Sequence, residues 1–377
     1  MLRTEYFQAK ESLLQNFSKG FRINENEQLN GQFTLISAGL SNYLPSISFQ
    51  QHEEIFKTLL LHKKLSALEQ GSSDALALTT IEDYTDEIED ILKNKAAIIC
   101  TFHTGSYRLI NLYLAKKGIP FSLVIGKEVM NQEGGDFLSL YKDNSCNKNG
   151  FRIIDAEDPH SALQMLRQLK SGNNLMIYLD GNVGAGNQTI QNDNNCLINF
   201  LEQKIYARKG VGYLAHAAGV PIIPVVCYRK SWSDIYLKFF NPIYPNSDFP
   251  RNEYAEKITQ FLYDLVSPFI IQYPEQWEAW LYLHKIAHII NHEVDEHQNK
   301  KVSFNRPEQV LFNAERFGLY KISGRPFLFQ KSTYFSYPID RELYQFLGEC
   351  ISKPIGTEKI DEHLFNDLLG RRVLIIA

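Results

Sequence analysis

Between Ala96 and Phe240 the sequence alternates short, nearly uninterrupted apolar runs with amphipathic stretches that stop at glycine. Few folds can absorb that pattern. The runs Ala96-Ala97-Ile98-Ile99-Cys100-Thr101-Phe102, Leu175-Met176-Ile177-Tyr178-Leu179 and Pro221 to Val226 have strand length and no polar alternation, so they read as strands buried on both faces, and Phe121 to Ile125 is a strand candidate between them. Ile235 to Phe240 follows as a further strand. Three helical patterns separate them: one through Leu109, Ile110, Leu112 and Leu114 to Gly118, one from Ser161 to Leu169 ended by Gly172, and one from Lys209 to Ala218 stopped by Gly219. Strands alternating with helices imply an α/β fold with a mostly parallel sheet flanked by helices. In such sheets active groups sit where strands end and loops begin. His103 and Asp180 are each the first polar residue after a strand, at that edge.

The flanks read differently. Residues 1–90 hold Leu59, Leu60, Leu61, Ile81 and Ile88 among charges at helical spacing, continued by Ile91 and Leu92, which predicts a helical N-terminal extension without a strand series. The core domain then runs over 91–292 and includes a helix from Glu253 to Ile271 that Pro268 bends or interrupts. The polar run Glu293 to Lys301 reads as a linker. Beyond it, two alternating stretches (Val310 to Ile322 and Phe327 to Tyr337) and two short helical patterns (Arg341 to Cys350 and Ile360 to Leu369) predict a small α+β, winged-helix-like domain over 302–377. A length of 377 residues suits this division.

Composition removes several function classes. A net charge of -4 argues against nucleic-acid binding, which needs an excess of Lys and Arg. The five cysteines form no C-x-x-C pair, so neither a zinc site nor a disulfide framework is indicated and reduced thiols in a cytoplasmic protein are expected. The start lacks the apolar run of a signal peptide, and no stretch of about 18 apolar residues occurs anywhere, so membrane contact is expected to be peripheral at most. His284, His288 and His292 would share one helix face, yet no carboxylate or Cys is arranged with them; a packed face is the expectation and no metal site is assigned.

The chemistry centres on His103-Thr104-Gly105-Ser106-Tyr107-Arg108. A strand-end histidine followed by a glycine can take a proton from a nucleophile, because its ordinary pKa lies near working pH, about 6.5. By itself it can equally be a histidine that merely closes a strand end. The surrounding blocks decide more. Gly210 to Arg229 (GVGYLAHAAGVPIIPVVCYR) and Pro274 to Lys285 (PEQWEAWLYLHK), together with the His103 block and the strand ending in Asp180, resemble in order and spacing the lysophospholipid acyltransferase superfamily. The nearest branch is that of the late acyltransferases of bacterial lipid A synthesis. This resemblance implies a thioester donor, acyl carrier protein or acyl-CoA as co-substrate, with no other cofactor. It also implies His103 as the general base.

The departure from the family falls where its carboxylate stands five residues after the histidine: here it is Arg108. A cation there would lower the pKa of His103 rather than orient it. Three readings stay open. Asp180 serves His103; or the nucleophile is an amine that needs less help; or the scaffold is a catalytically degenerate acyl- or peptide-binding protein. Arg108, Arg208 and Lys209, with Lys204 beside them, are candidates to bind the donor's phosphates. Thr104, Gly105 and Ser106 line the same turn, whose backbone amides are candidate oxyanion donors. Gly181 and Asn182 open a Gly-rich loop that reads as a wall of the substrate site. Asn199 to Gln203 lacks the glycine of the family's second block. The element order of the C-terminal domain is similar to precursor-peptide recognition domains, which add a leader peptide as a strand to a sheet edge. The acceptor is then a peptide; otherwise it is a lipid or a small metabolite.

Overall fold

The computed structural model describes residues 3–17, 19, 21–23, 25–144, 151–181, 193–246, 248–290 and 309–377. The chain divides into two compact units, Met1–Phe21 with Glu54–Ala287, and Arg22–Glu53 with His288–Ala377. Residues 22–53, read from sequence as part of an N-terminal extension, thus group with the C-terminal unit.

The first unit is built on seven strands: β1 (Thr79–Glu82), β2 (Ile98–Thr101), β3 (Phe121–Ile125), β4 (Phe151–Asp155), β5 (Asn174–Tyr178), β8 (Ile222–Arg229) and β9 (Ile235–Phe239), with the hairpin β6 (Asn195–Phe200) and β7 (Gln203–Arg208) inserted before β8. Their order is β1-β9-β8-β2-β5-β3-β4. Five neighbouring strands, β8, β2, β5, β3 and β4, are parallel. Only the β8–β9 pairing is antiparallel, so β9 and β1 run against the rest at one edge. All eight residues of β8 and all four of β2 are buried, as their unbroken apolar runs require. Helices cover the sheet, and Gly118, Gly172 and Gly219, which follow three of them, take the left-handed backbone that favours glycine. The helix Arg251–Gln272 continues through Pro268. It packs on Gly210–Ala218 closely enough that a side chain at Gly212 would meet Ala255 and Ile258.

Several elements depart from the sequence reading. β1 lies within the stretch read as purely helical; β4 and the β6–β7 hairpin were not anticipated. Residues 283–285 form a 3-10 turn, so His284 is not on a helix face shared with His288, and His292 lies outside the described residues.

In the second unit each alternating stretch resolves into two strands. Gln309–Phe312 pairs with Ile355–Gly356 and Leu374–Ile376, whereas Phe317–Ile322, Arg325–Gln330 and Phe335–Pro338 form a separate antiparallel sheet. Helices Arg341–Ser352 and Glu362–Gly370 close over a core that includes Val310, Leu347, Phe365 and Val373. The helix Glu27–Tyr43 lies against Phe317–Ile322, with Asn30 Nδ2 donating to the Leu319 carbonyl at 2.9 Å. No helix among the described residues is long and apolar enough to cross a membrane.

Candidate active site

The parallel pairing of β2 and β5 sets Thr101 opposite Tyr178. Two residues further on each strand come His103 and Asp180, so the register alone brings them side by side. His103 Nδ1 lies 2.7 Å from Asp180 Oδ1, and the His103 amide donates to both carboxylate oxygens at 3.1 Å. A carboxylate only accepts, so Nδ1 carries the proton and Nε2 presents its lone pair. Nε2 has no hydrogen-bond partner among the described residues. The Asp180 side chain is fully buried, while that of His103 keeps 18% of its surface exposed. Trp277 Nε1 donates to the other oxygen, Asp180 Oδ2, at 2.7 Å, which fixes the carboxylate from behind.

Aromatic rings hold the imidazole. Tyr178 stacks on it at 4.8 Å between centroids, and Tyr107 meets it edge-on at 4.7 Å. Burial acts to lower the pKa of His103, but the Asp180 charge, the Asp180 hydrogen bond and the more distant Glu278 outweigh it, and the net shift is upward from 6.5. Arg108 contributes a lowering that is smaller than any of these. The depressed pKa expected from Arg108 is therefore not what the site produces, because Arg108 faces other partners. Its Nη1 donates at 2.7 Å to both Gln70 Oε1 and Glu133 Oε2, and its Nε donates to the Tyr107 hydroxyl at 3.3 Å.

The turn after His103 is tight. Gly105 has φ +55°, and a side chain there would press on the Cys227 carbonyl and the Tyr228 backbone. Its amide donates to the Gln276 carbonyl at 3.1 Å and the Thr104 amide to the Phe102 carbonyl at 2.8 Å. These two amides, proposed from sequence as oxyanion donors, are thus already engaged. Ser106, expected to meet substrate, is instead fully buried between Glu69 and Arg229. Thr104 is buried, and its hydroxyl has no hydrogen-bond partner among the described residues.

Among the candidate phosphate ligands, Lys209 is buried, with its ammonium on Asn252 Oδ1 at 2.6 Å and Glu256 Oε1 at 3.2 Å, so it is spent within the fold. Arg208 ends β7, and burial lowers its pKa. Gly181 follows Asp180 directly, and Asn182 lies outside the described residues. Leu201 takes a positive φ of 52° in the β6–β7 turn, where the sequence departs from the family's glycine. Burial lowers the pKa of His284 to about 4, and among the described residues no three His, Cys, Asp or Glu side chains could hold a metal ion.

Sequence reasoning placed His103 and Asp180 but gave no role to Glu69, Tyr107, Tyr178, Trp277 or Glu278. The available signal for Trp277 was its place in the Pro-x-x-Trp closing segment.

Comparison with known proteins bears on this arrangement. The family described as bacterial lipid A biosynthesis acyltransferase matches residues 40–285, more than half of the chain. No curated protein matches. Among solved structures, the 1-acyl-sn-glycerophosphate (LPA) acyltransferase PlsC from Thermotoga maritima aligns over 63% of this chain and 95% of its own, with 15% identity and a TM-score of 0.30. The chain belongs to the bacterial lipid A biosynthesis acyltransferase family, and its general chemistry is acyl transfer.

Proposed function

We propose that this protein moves a fatty acyl group from the thioester of acyl carrier protein or of coenzyme A to a hydroxyl or amine acceptor, with His103 as general base and Asp180 as its orienting carboxylate. The observation that carries the reading is the 2.7 Å contact between His103 Nδ1 and Asp180 Oδ1. Asp180 takes over, from the neighbouring strand, the task that the family gives to the residue where Arg108 stands. Nδ1–H donates to Asp180, which leaves Nε2 to accept the proton of the acceptor as its oxygen or nitrogen attacks the thioester carbonyl. The new acyl C–O or C–N bond forms, the C–S bond breaks, and the imidazolium returns the proton to the departing thiolate. The buried Asp180 charge stabilises the imidazolium between those two events. Arg208, at the end of β7, is the proposed ligand of a donor phosphate. The chemistry asks for no metal or prosthetic group.

For the acceptor, a lipid, a small metabolite or a ribosomally made peptide fits this chemistry. The peptide reading draws on the edge strand Phe335–Pro338, whose four residues are all exposed and which could take up an added strand. The test is mass spectrometry of lipid, amine and peptide acceptors incubated with acyl-CoA or acyl carrier protein thioesters. The expected result is an acyl mass shift with the wild type that His103→Ala abolishes. No acylation of any acceptor by either protein would overturn the enzyme reading in favour of a binding protein.

A further inference from the structure

The loop that carries His103 is gripped by residues from an unexpected quarter. Glu69 ends the helix Phe49–Glu69 and is completely buried. Local physics disfavours that placement twice: burial penalises a carboxylate, and the helix C-terminus repels negative charge. A residue kept where local preference opposes it is held there by tertiary partners.

Those partners surround the catalytic turn. Glu69 Oε2 accepts from the Ser106 hydroxyl and from Arg229 Nη2, and Arg229 Nη2 also donates to Ser106 Oγ. Glu69 Oε1 accepts from the Tyr6 hydroxyl at 3.1 Å, with Lys10 Nζ 4.0 Å away. Arg229 ends β8 and is 1% exposed; its Nε and Nη1 have no hydrogen-bond partner among the described residues, and its Nη2 is held by Glu69 and Ser106. Its backbone is fastened by Gln276, whose side chain pairs with the Arg229 amide and carbonyl at 2.8 Å each.

The same helix end reaches the turn at two further points. Gln70 accepts from Arg108, and Lys63 pairs at 2.7 Å with Glu278, which accepts from the Tyr107 hydroxyl at 3.2 Å and whose amide donates to the His103 carbonyl at 2.8 Å. Two of the side-chain contacts on the turn, Glu69 on Ser106 and Gln70 on Arg108, therefore come from the end of this helix and the residue after it.

We infer that Glu69 is a positioning residue for acyl transfer: the buried Glu69–Arg229 pair holds Ser106 and thereby sets the turn that presents His103 to Asp180. The inference rests on the proposal that His103 is the general base. Neither Glu69 nor Arg229 touches substrate in this account.

The test compares wild type with Glu69→Met/Arg229→Met and with Ser106→Ala, and includes His103→Ala as a separate arm. Thiol release from dodecanoyl and hexadecanoyl thioesters of coenzyme A and acyl carrier protein is followed against pH, with circular dichroism and thermal unfolding in parallel. Removing both charges together spares the variant an uncompensated buried ion. The expectation is a folded double variant whose kcat falls about 10- to 100-fold with KM for the thioester within about threefold. Its activity should also rise with pH at a lower pH than in wild type, because His103 no longer sits firmly against Asp180. Ser106→Ala, which deletes one hydroxyl and so keeps the test open should the double variant unfold, should shift both quantities in the same direction by less. A wild-type kcat and pH profile per folded molecule, in either variant that folds, would overturn the positioning role alone. Thiol release by His103→Ala at the wild-type rate would instead remove the base reading and the positioning role with it.

Discussion

At the residue scale, the carboxylate that meets His103 is Asp180, at the end of the neighbouring strand. Arg108 occupies the position five residues after His103, yet it is bound to Gln70 and Glu133 and lowers the imidazole pKa less than Asp180 and Glu278 raise it. Asp180 Oδ1 lies 2.7 Å from His103 Nδ1, at the end of a neighbouring strand in matched register. Restoring the family's acid should accordingly do harm. Arg108→Glu would face Glu133 with like charge and release Gln70, so acyl transfer should fall by about tenfold or more while His103 gains no new partner. Steady-state rates of the two proteins check this, and a variant faster than wild type would show that Asp180 is not an adequate substitute.

At the element scale, the helix Glu27–Tyr43 and the sheet Phe317–Gln330 are fitted by small contacts with large consequences. A side chain at Gly318 would run into Thr34. Lys331, just past the strand Arg325–Gln330, is buried with its amine on Ser37 Oγ at 2.7 Å and the Ala314 carbonyl at 2.6 Å, and Ser37 Oγ is also 2.9 Å from His52 Nδ1. Burial lowers the Lys331 pKa to about 7, with Glu315 partly opposing, and lowers that of His52 to about 4. A lysine whose pKa falls on folding binds its proton more tightly when unfolded. Its contribution to stability is therefore complete above the ordinary lysine pKa of 10.5 and is lost as pH falls towards about 7. Between those limits this one group adds up to about 1.4 kcal/mol of stability per pH unit gained. Denaturant unfolding of wild type and Lys331→Met from pH 7 to 10 should show the wild type gaining on the variant as pH rises. Parallel pH curves would contradict the assignment.

At the scale of the whole molecule, the sheet and its reactive edge were readable from the sequence because they follow from one-dimensional rules. Unbroken apolar runs marked β2, β5 and β8, glycine stops marked the ends of helices, and the strand-end rule picked out His103 and Asp180. What escaped is equally physical. β1 is four residues long, with Ile81 its one apolar residue, and lies at a sheet edge, so it carries no periodic signal. The β6–β7 hairpin turns at Leu201 rather than at a glycine. The partners of the catalytic turn are far away in sequence: Trp277 lies 97 residues from Asp180, and Arg229 lies 160 from Glu69. No local pattern announces such pairs. Nor did composition separate residues 22–53 from the helices around them, although they group with the C-terminal unit.

The central claim is that Asp180 makes His103 a working base, and the pH dependence of kcat/KM for wild type and Asp180→Asn tests it most directly. If His103 is the base, its unprotonated form is the active one, and Asp180 raises its pKa above 6.5. Wild-type activity should therefore climb with pH through a midpoint above 6.5. In Asp180→Asn the charge is gone while burial still lowers the pKa, so the midpoint should move to lower pH and the plateau should drop by about 10²- to 10⁴-fold as the tautomer and orientation are lost. An unchanged midpoint with a plateau within about threefold of wild type would contradict the account.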